Sequence, residues 1–313
     1  MLETGLTIFA GNSNLELANE ICRYLDLPLG AATVGRFPDN EINVKLDVDV
    51  RGTDAFVIQS TCPPVNDHLM ELLILIECLV RSSARRVTAV IPYYGYARQD
   101  RKDESRTPIT AKLVANLLES AGANRVLTMD LHAAQIQGFF DIPVDHLYAR
   151  PVMTKHFKSL NLDDPVVVSP DVGGIRLARG YSKVLGARLA VVDKRRVSPD
   201  STEIGFVIGD VEGRTAILAD DLVSTGGTIA EAAKIVKEKG AKEVYISATH
   251  PVFCGNAVER LASVNASGIV VTNSIPISTA KELSGLTQLS VAGLFGEAIR
   301  RIHQSKSVSS LFD

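Results

Sequence analysis

The chain has 313 residues, 46% of them hydrophobic and 22% charged, with a formal charge of −3. That length suits two globular domains of roughly 150 residues each, and the slight acidity excludes a nucleic-acid binder, which would carry a basic surplus or stripe. The four cysteines, Cys22, Cys62, Cys78 and Cys254, form no CxxC pair, so free thiols in a reducing compartment are expected instead of a disulfide framework.

In chain order, Thr7–Ala10 reads as a strand and leads into an amphipathic helix at Leu15–Leu25. Met1 to Gly11 has neither the basic start nor the long apolar core of a signal peptide, and a cytoplasmic protein is expected. A strand at Ala55–Gln59 precedes a helix at Asp67–Ser82; Glu71 and Glu77 interrupt its apolar stretch, so it cannot span a bilayer. Arg86–Ile91 and Arg125–Met129 read as strands flanking a helix at Ile109–Ala121. The pattern then breaks between Pro143 and Asp164, where a domain boundary is expected: residues 1–148, then 149–300, then a polar tail from 301 to 313. The second half repeats the rhythm, with strands at Val166–Ser169, Arg188–Val192, Ala216–Ala219, Glu243–Ala248 and Gly268–Thr272, and helices at Gly174–Leu185 and Thr228–Lys239. Near-continuous apolar strands belong to parallel sheets covered on both faces, and the βαβα order predicts an α/β protein.

The segment from Thr215 to Thr228 is the most informative. An apolar strand ends in Asp220 and Asp221, and then Ser224, Thr225, Gly226, Gly227 and Thr228 form a turn that opens a helix. Exposed backbone amides at a helix N-terminus suit a phosphate monoester, and the two carboxylates suit ribose hydroxyls or a hydrated cation. Taken alone, the turn is equally an ordinary capped helix start. A second glycine turn, Ser169-Pro170-Asp171-Val172-Gly173-Gly174, also ends a strand, and Asp171 is either a helix cap or a hard oxygen ligand. In Asp130-Leu131-His132, extended backbone would place the acid and the imidazole on one face. Arg98 and Gln99 follow an apolar strand and a Tyr-rich turn, where Arg clamps a phosphate, stacks on a base, or belongs to a solvated basic loop.

Three segments give this pattern a family. Gly35-Arg36-Phe37-Pro38-Asp39-Asn40-Glu41, the stretch from Pro92 to Lys102 containing Arg98-Gln99-Asp100, and the stretch from Asp130 to Asp141 resemble ribose-phosphate pyrophosphokinases. The Asp220–Thr228 loop resembles the phosphoribosyl-binding loop of the phosphoribosyltransferase superfamily, and the resemblance runs from about Leu6 to the final Ser-Val-Ser-Ser-Leu-Phe. It implies two phosphoribosyltransferase-like domains, each a mostly parallel sheet flanked by helices, and diphosphoryl transfer from ATP to ribose 5-phosphate with Mg²⁺. By resemblance, Phe37, Asp39, Asn40, Glu41, Arg98, Gln99, Asp103 and His132 meet ATP, and His132 and Asp171 meet the metal. Asp220, Asp221 and Ser224 to Thr228 hold the sugar phosphate, while Lys194 and Arg196 form a catalytic loop, Arg196 also touching the sugar phosphate. Phe37 and its neighbours would serve an adjacent subunit of a homo-oligomer, a hexamer by resemblance.

Two positions depart from the common family pattern. Ser224 stands where many members carry Asp, and Asp49 stands where phosphate-activated members tend to carry Ser, in a regulatory anion site with Arg51, Ser83 and Arg106. A carboxylate there repels phosphate. Three rival readings have less support. A nucleobase phosphoribosyltransferase would not need the first 150 or so residues. A non-catalytic regulatory homologue has no use for His132, Asp171, Lys194 and Arg196. A phosphoribosyl-sensing repressor would need basic charge and a recognition helix.

Overall fold

Residues that alternate between two buried faces of a sheet leave no polar positions, which is why the strands read as unbroken apolar runs. The computed structural model describes residues 5–195, 204–278 and 283–311. Two compact units emerge: Met1–Tyr148 with Ser274–Pro276 and Ser290–Asp313, and Ala149–Asn273 with Ile277–Leu289.

In the first unit the order is β1 (Leu6–Ala10), α1 (Leu15–Leu25), β2 (Ala32–Arg36), β3 (Ile42–Leu46), β4 (Asp54–Ile58), α2 (Val65–Arg81), β5 (Arg86–Ile91), α3 (Thr110–Ser120), β6 (Arg125–Met129) and β7 (Val144–Leu147). Five parallel strands form one sheet in the order β1-β4-β5-β6-β7, and β2 and β3 pair as a separate antiparallel ribbon. On α2, Leu69, Leu72, Leu75, Ile76 and Leu79 recur at helical spacing. They join one core with Ala55 and Val57 of β4 and Val87, Ala89 and Ile91 of β5. Each fully buried Leu, Ile or Val side chain among them contributes about 1.5–3 kcal/mol. The intervening strand residues, Phe56, Ile58 and Val90, are buried as well, so both faces are covered. Asn14 caps α1 by accepting the Leu17 amide at 3.2 Å.

The second unit runs through α4 (Arg150–Ser159), β8 (Pro165–Ser169), α5 (Ile175–Leu185), β9 (Arg188–Arg195), β10 (Ile204–Ile208), β11 (Thr215–Val223), α6 (Gly227–Glu238), β12 (Glu243–Pro251), α7 (Ala257–Ser263), β13 (Gly268–Thr272) and β14 (Leu286–Leu289). Its sheet has the order β10-β9-β8-β11-β12-β13-β14, parallel except for β10 on β9. From β8 the chain winds outward to β9 and β10, then returns to lay β11 on the other side of β8. Helix α8 (Ala292–His303) belongs to the first unit and packs on α1. The expected second domain, drawn to residue 300, includes most of this helix. The helix departs from that grouping because it packs on α1 of the first unit, Gly296 lying against Tyr24. Among the described residues, no helix is long and apolar enough to cross a membrane.

The nine expected strands and five expected helices all occur, some with shifted ends. The largest shift is at β11: it does not stop at Ala219 but runs on to Val223, pairing Asp220 with Ala248 and Leu222 with His250 of β12. The acidic pair therefore stands within the strand, three residues or fewer from its end.

Candidate active site

Where neighbouring strands of a parallel sheet send their connections in opposite directions, the loops part and leave a crevice at the strands' C-terminal ends. In the second unit that point lies between β8 and β11. The glycine turn after β8 and the hydroxyl- and glycine-rich turn after β11 flank it, so the topology brings together two segments 50 residues apart that the sequence singled out.

After β11, Ser224 and Thr225 lead to Gly226 at φ 74, the N-cap of α6. That left-handed conformation is costly for a residue with a Cβ, and a Cβ at Gly226 would also lie 3.3 Å from the Ala257 carbonyl oxygen. Thr225 and Thr228 are exposed, Ser224 is half-buried, and Gly226 is buried. The turn thus presents hydroxyls and the first amides of a 12-residue helix to solvent, an arrangement that favours an anion. Gly226→Ala is expected to destabilise the fold by about 1–2 kcal/mol and to reduce the stabilisation given by added phosphate, both readable from thermal melts with and without phosphate.

Asp220 and Asp221 are half-buried just before this turn. Burial first, then the charge of Asp221 and more weakly that of Asp171, raise the Asp220 carboxyl well above the usual carboxylate range, although it accepts the Asp221 amide at 2.9 Å. Asp171, on the turn after β8, is exposed; its Oδ1 accepts the Gly174 amide at 2.9 Å, and its carbonyl accepts the buried Ser169 hydroxyl at 2.7 Å. Asp171 and Asp221 therefore lie close enough to Asp220 for their charges to be felt there. Among the described residues, no group of three His, Cys, Asp or Glu is arranged to hold a metal by itself.

Lys194 lies on β9, paired in register with Gly205 of β10. Because β8 ends at Ser169, opposite Val191, Lys194 stands three residues beyond the end of β8. Arg196 lies outside the described residues.

In the first unit, the segments after β5 and β6 meet at the C-terminal edge of the sheet. The Gln135 side chain donates to Asp100 at 3.1 Å, joining them. The Gln99 backbone is held at both ends, its amide donating to the Tyr96 carbonyl at 2.9 Å and its carbonyl accepting the Ala111 amide at 3.1 Å. Its side chain accepts the Thr110 hydroxyl. Arg98, Gln99 and His132 are all exposed on this edge. Asp130 and His132 do not share a face. Asp130 turns to φ 37 and is buried, which breaks the extended alternation on which that expectation rested. His146 on β7, passed over in the sequence, holds the loop instead: its Nε2 accepts the Leu131 amide at 2.9 Å. No sequence signal marks it, because the partner is a backbone amide fifteen residues away.

Phe37, Asp39, Asn40 and Glu41 form the tip joining β2 to β3 and are all exposed. Asn40 takes φ 71, its amide donates to the Phe37 carbonyl at 2.9 Å, and Asp39 accepts the Glu41 amide at 3.1 Å. Asp103 pairs with Arg101 at 2.8 Å in an exposed loop. At the expected regulatory anion site, Asp49 accepts the Arg51 amide at 3.0 Å, and the Arg51 guanidinium donates to Ser83 at 3.2 Å. Arg106 makes no hydrogen bond to these three among the described residues.

The N-terminal domain of ribose phosphate pyrophosphokinase matches residues 6–122, and the phosphoribosyl synthetase-associated domain matches residues 195–313. A ribose-phosphate pyrophosphokinase of Rhodopirellula baltica is 57% identical over 310 residues, covering 98% of each chain. One of Bacillus caldolyticus is 55% identical over 308 residues, again covering 98% of each. The crystal structure of phosphoribosylpyrophosphate synthetase from Mycobacterium smegmatis is similar with a TM-score of 0.91 and 46% identity, over 96% of this chain and 100% of that one. With family matches in both halves and relatives above half identity over nearly its whole length, the chain is an enzyme that belongs to the ribose-phosphate pyrophosphokinase family.

Proposed function

We propose that this enzyme transfers the diphosphoryl group of ATP to the anomeric hydroxyl of ribose 5-phosphate, giving 5-phosphoribosyl 1-diphosphate and AMP. The observation that carries the reading is the crevice between β8 and β11, where the Ser224–Gly227 turn offers amides to a phosphate beside the Asp220–Asp221 pair. In that reading, Ser224 to Thr228 hold the 5-phosphate, and Asp220 and Asp221 face the ribose hydroxyls. Arg98, Gln99 and His132 hold the triphosphate on the first unit, and the Phe37–Glu41 tip with Asp103 contacts adenine. The anomeric oxygen attacks the β-phosphorus in line as the bond to the α-phosphate oxygen breaks. AMP leaves with that oxygen, and the hydroxyl proton passes to solvent. No covalent protein nucleophile is needed, since phosphoryl-type transfers are driven by positioning and charge neutralisation.

Mg²⁺ fits the donor set of the second unit. Asp171, Asp220 and Asp221 offer hard oxygens, and the raised Asp220 carboxyl marks a carboxylate cluster that a cation would relieve. In this reading Asp171 would hold it through a hard carboxylate oxygen. When bound, Mg²⁺ supplies neutralisation of the triphosphate charge. An imidazole is a poor partner for it, so His132 would act on a phosphate oxygen or a water.

The exposed Phe37 tip, and an exposed apolar stripe on the α3 side at Ile109, Leu113 and Leu117, support a homo-oligomer, a hexamer by family resemblance. The four free thiols support a cytoplasmic location; burial pushes those of Cys22 and Cys62 up to about 11. Asp49 places a carboxylate beside Arg51 at the regulatory anion site. Inorganic phosphate is therefore expected to stimulate turnover by less than about twofold. Strong stimulation that vanishes in Arg51→Ala would contradict this.

Phosphorus NMR with ATP, Mg²⁺ and ribose 5-phosphate, and a control without the sugar, tests the function. AMP and a new sugar diphosphate appearing only with the sugar support it. ADP or free phosphate would mean the chemistry is misassigned, and a folded, ATP-binding but inert protein would point to a regulatory homologue.

A further inference from the structure

The turn after β12 and the start of α7 lie directly behind the phosphate loop. The Phe253 and Cys254 amides donate to the Val223 and Ser224 carbonyls, each at 3.0 Å, so the two segments remain bonded beyond the β11–β12 pairing. The Cys254 Sγ lies 3.2 Å from the Ser224 Oγ. From α7, the Arg260 Nη1 donates to the Thr225 carbonyl at 3.1 Å, and a Cβ built on Gly227 would meet that same nitrogen at 3.4 Å. The guanidinium thus sits against the residues on both sides of Gly226.

This contact has a directional consequence. In a planar trans peptide the carbonyl and the following N–H point opposite ways. Drawing the Thr225 carbonyl back toward Arg260 therefore aims the Gly226 amide away from α7. Were that peptide to turn over, a carbonyl oxygen would replace the amide and repel an anion. The guanidinium also adds a permanent positive charge behind a loop that has no cationic side chain between Ser224 and Thr228.

We propose that Arg260 is a positioning residue of the sugar-phosphate site, holding the Thr225–Gly226 peptide with its N–H toward the 5-phosphate and supplying charge from behind. The inference rests on the proposed function of this loop and deepens it. Isothermal titration of the full-length protein with ribose 5-phosphate, and separately with ATP, tests it. Arg260→Gln is expected to weaken ribose 5-phosphate about tenfold to a hundredfold, with ATP within about twofold of wild type. Arg260→Lys keeps the charge without the planar fork and is expected to fall between the two, at about threefold to tenfold. A folded Gln variant with ribose 5-phosphate affinity within about twofold of wild type, or one that loses both ligands equally, overturns the proposal. If the Gln variant does not fold, unchanged sugar affinity in the Lys variant overturns it. Wild-type protein that binds ATP but not ribose 5-phosphate would overturn the functional reading itself, a failure visible before any variant is made.

Discussion

Lys194→Ala is expected to lower kcat by about a hundredfold to a thousandfold, with KM for ATP and for ribose 5-phosphate within about threefold of wild type. The position of the backbone supports this. Strand β9 outruns its neighbour β8, whose last residue pairs with Val191, so Lys194 stands about 10 Å past the end of β8 at roughly 3.3 Å per residue. Antiparallel pairing with β10 makes this extension a two-stranded ribbon instead of a loose loop. It leaves the sheet at the same C-terminal edge as the turns after β8 and β11. In the proposed transfer, a cation at this position would meet charge that develops in the transition state more than it meets either bound substrate. Steady-state kinetics at saturating Mg²⁺ check the prediction. An unaltered turnover number would sink it, and a raised KM at constant kcat would make Lys194 a binding residue.

What the sequence disclosed follows from what each signal depends on. Buried parallel strands and long amphipathic helices depend on composition over several residues, and β1, α1, β5, α3, β6 and α5 lie within a residue of where those patterns place them. The missed strands sit at sheet edges or in the exposed ribbon. β2, β3 and β14 are at best half-buried, and β10 carries exposed Phe206 and Ile208, so no continuous apolar run marks them. Helix α8 was missed because Gly293 and Gly296 interrupt its pattern. Gly296 is required by packing, since a Cβ there would collide with Tyr24 of α1, and that partner lies some 270 residues away. The Ser224–Thr228 turn was legible because its glycines and clustered hydroxyls are local features. Arg260 and His146 were not, because each acts on a backbone group brought near only by the fold. Asp130 and His132 show the converse failure: a local rule was applied where the chain abandons extended geometry.

Asp54→Ala is expected to destabilise the first unit by about 3 kcal/mol, the largest stability effect anticipated from a single side chain outside the apolar cores. Asp54 opens β4 and is fully buried. Its cross-strand partner is Arg86 on β5, which donates Nε to Oδ1 at 2.7 Å and a second bond to Oδ2. His303, at the end of α8, lies with Nδ1 2.8 Å from that same Oδ2, and Arg86 also donates to the Ile302 carbonyl at 3.2 Å. One carboxylate thereby ties two strands from the start of the unit to a helix from the far end of the chain. Alanine would leave the guanidinium, only 29% exposed, without its counter-ion, and would leave the His303 Nδ1 without this acceptor beside a buried Nε2 that has no hydrogen-bond partner among the described residues. Asp54→Asn keeps an acceptor but loses the charge, so about half the effect is expected, near 1.5 kcal/mol. The chain has no tryptophan, so urea unfolding is best followed by circular dichroism. Hydrogen exchange should show the loss concentrated in α8, whose docking depends on these contacts. Wild-type urea stability in Asp54→Ala, or exchange that rises evenly across the unit, would mean that apolar packing between α1 and α8 holds the C-terminal helix without help from the buried ions.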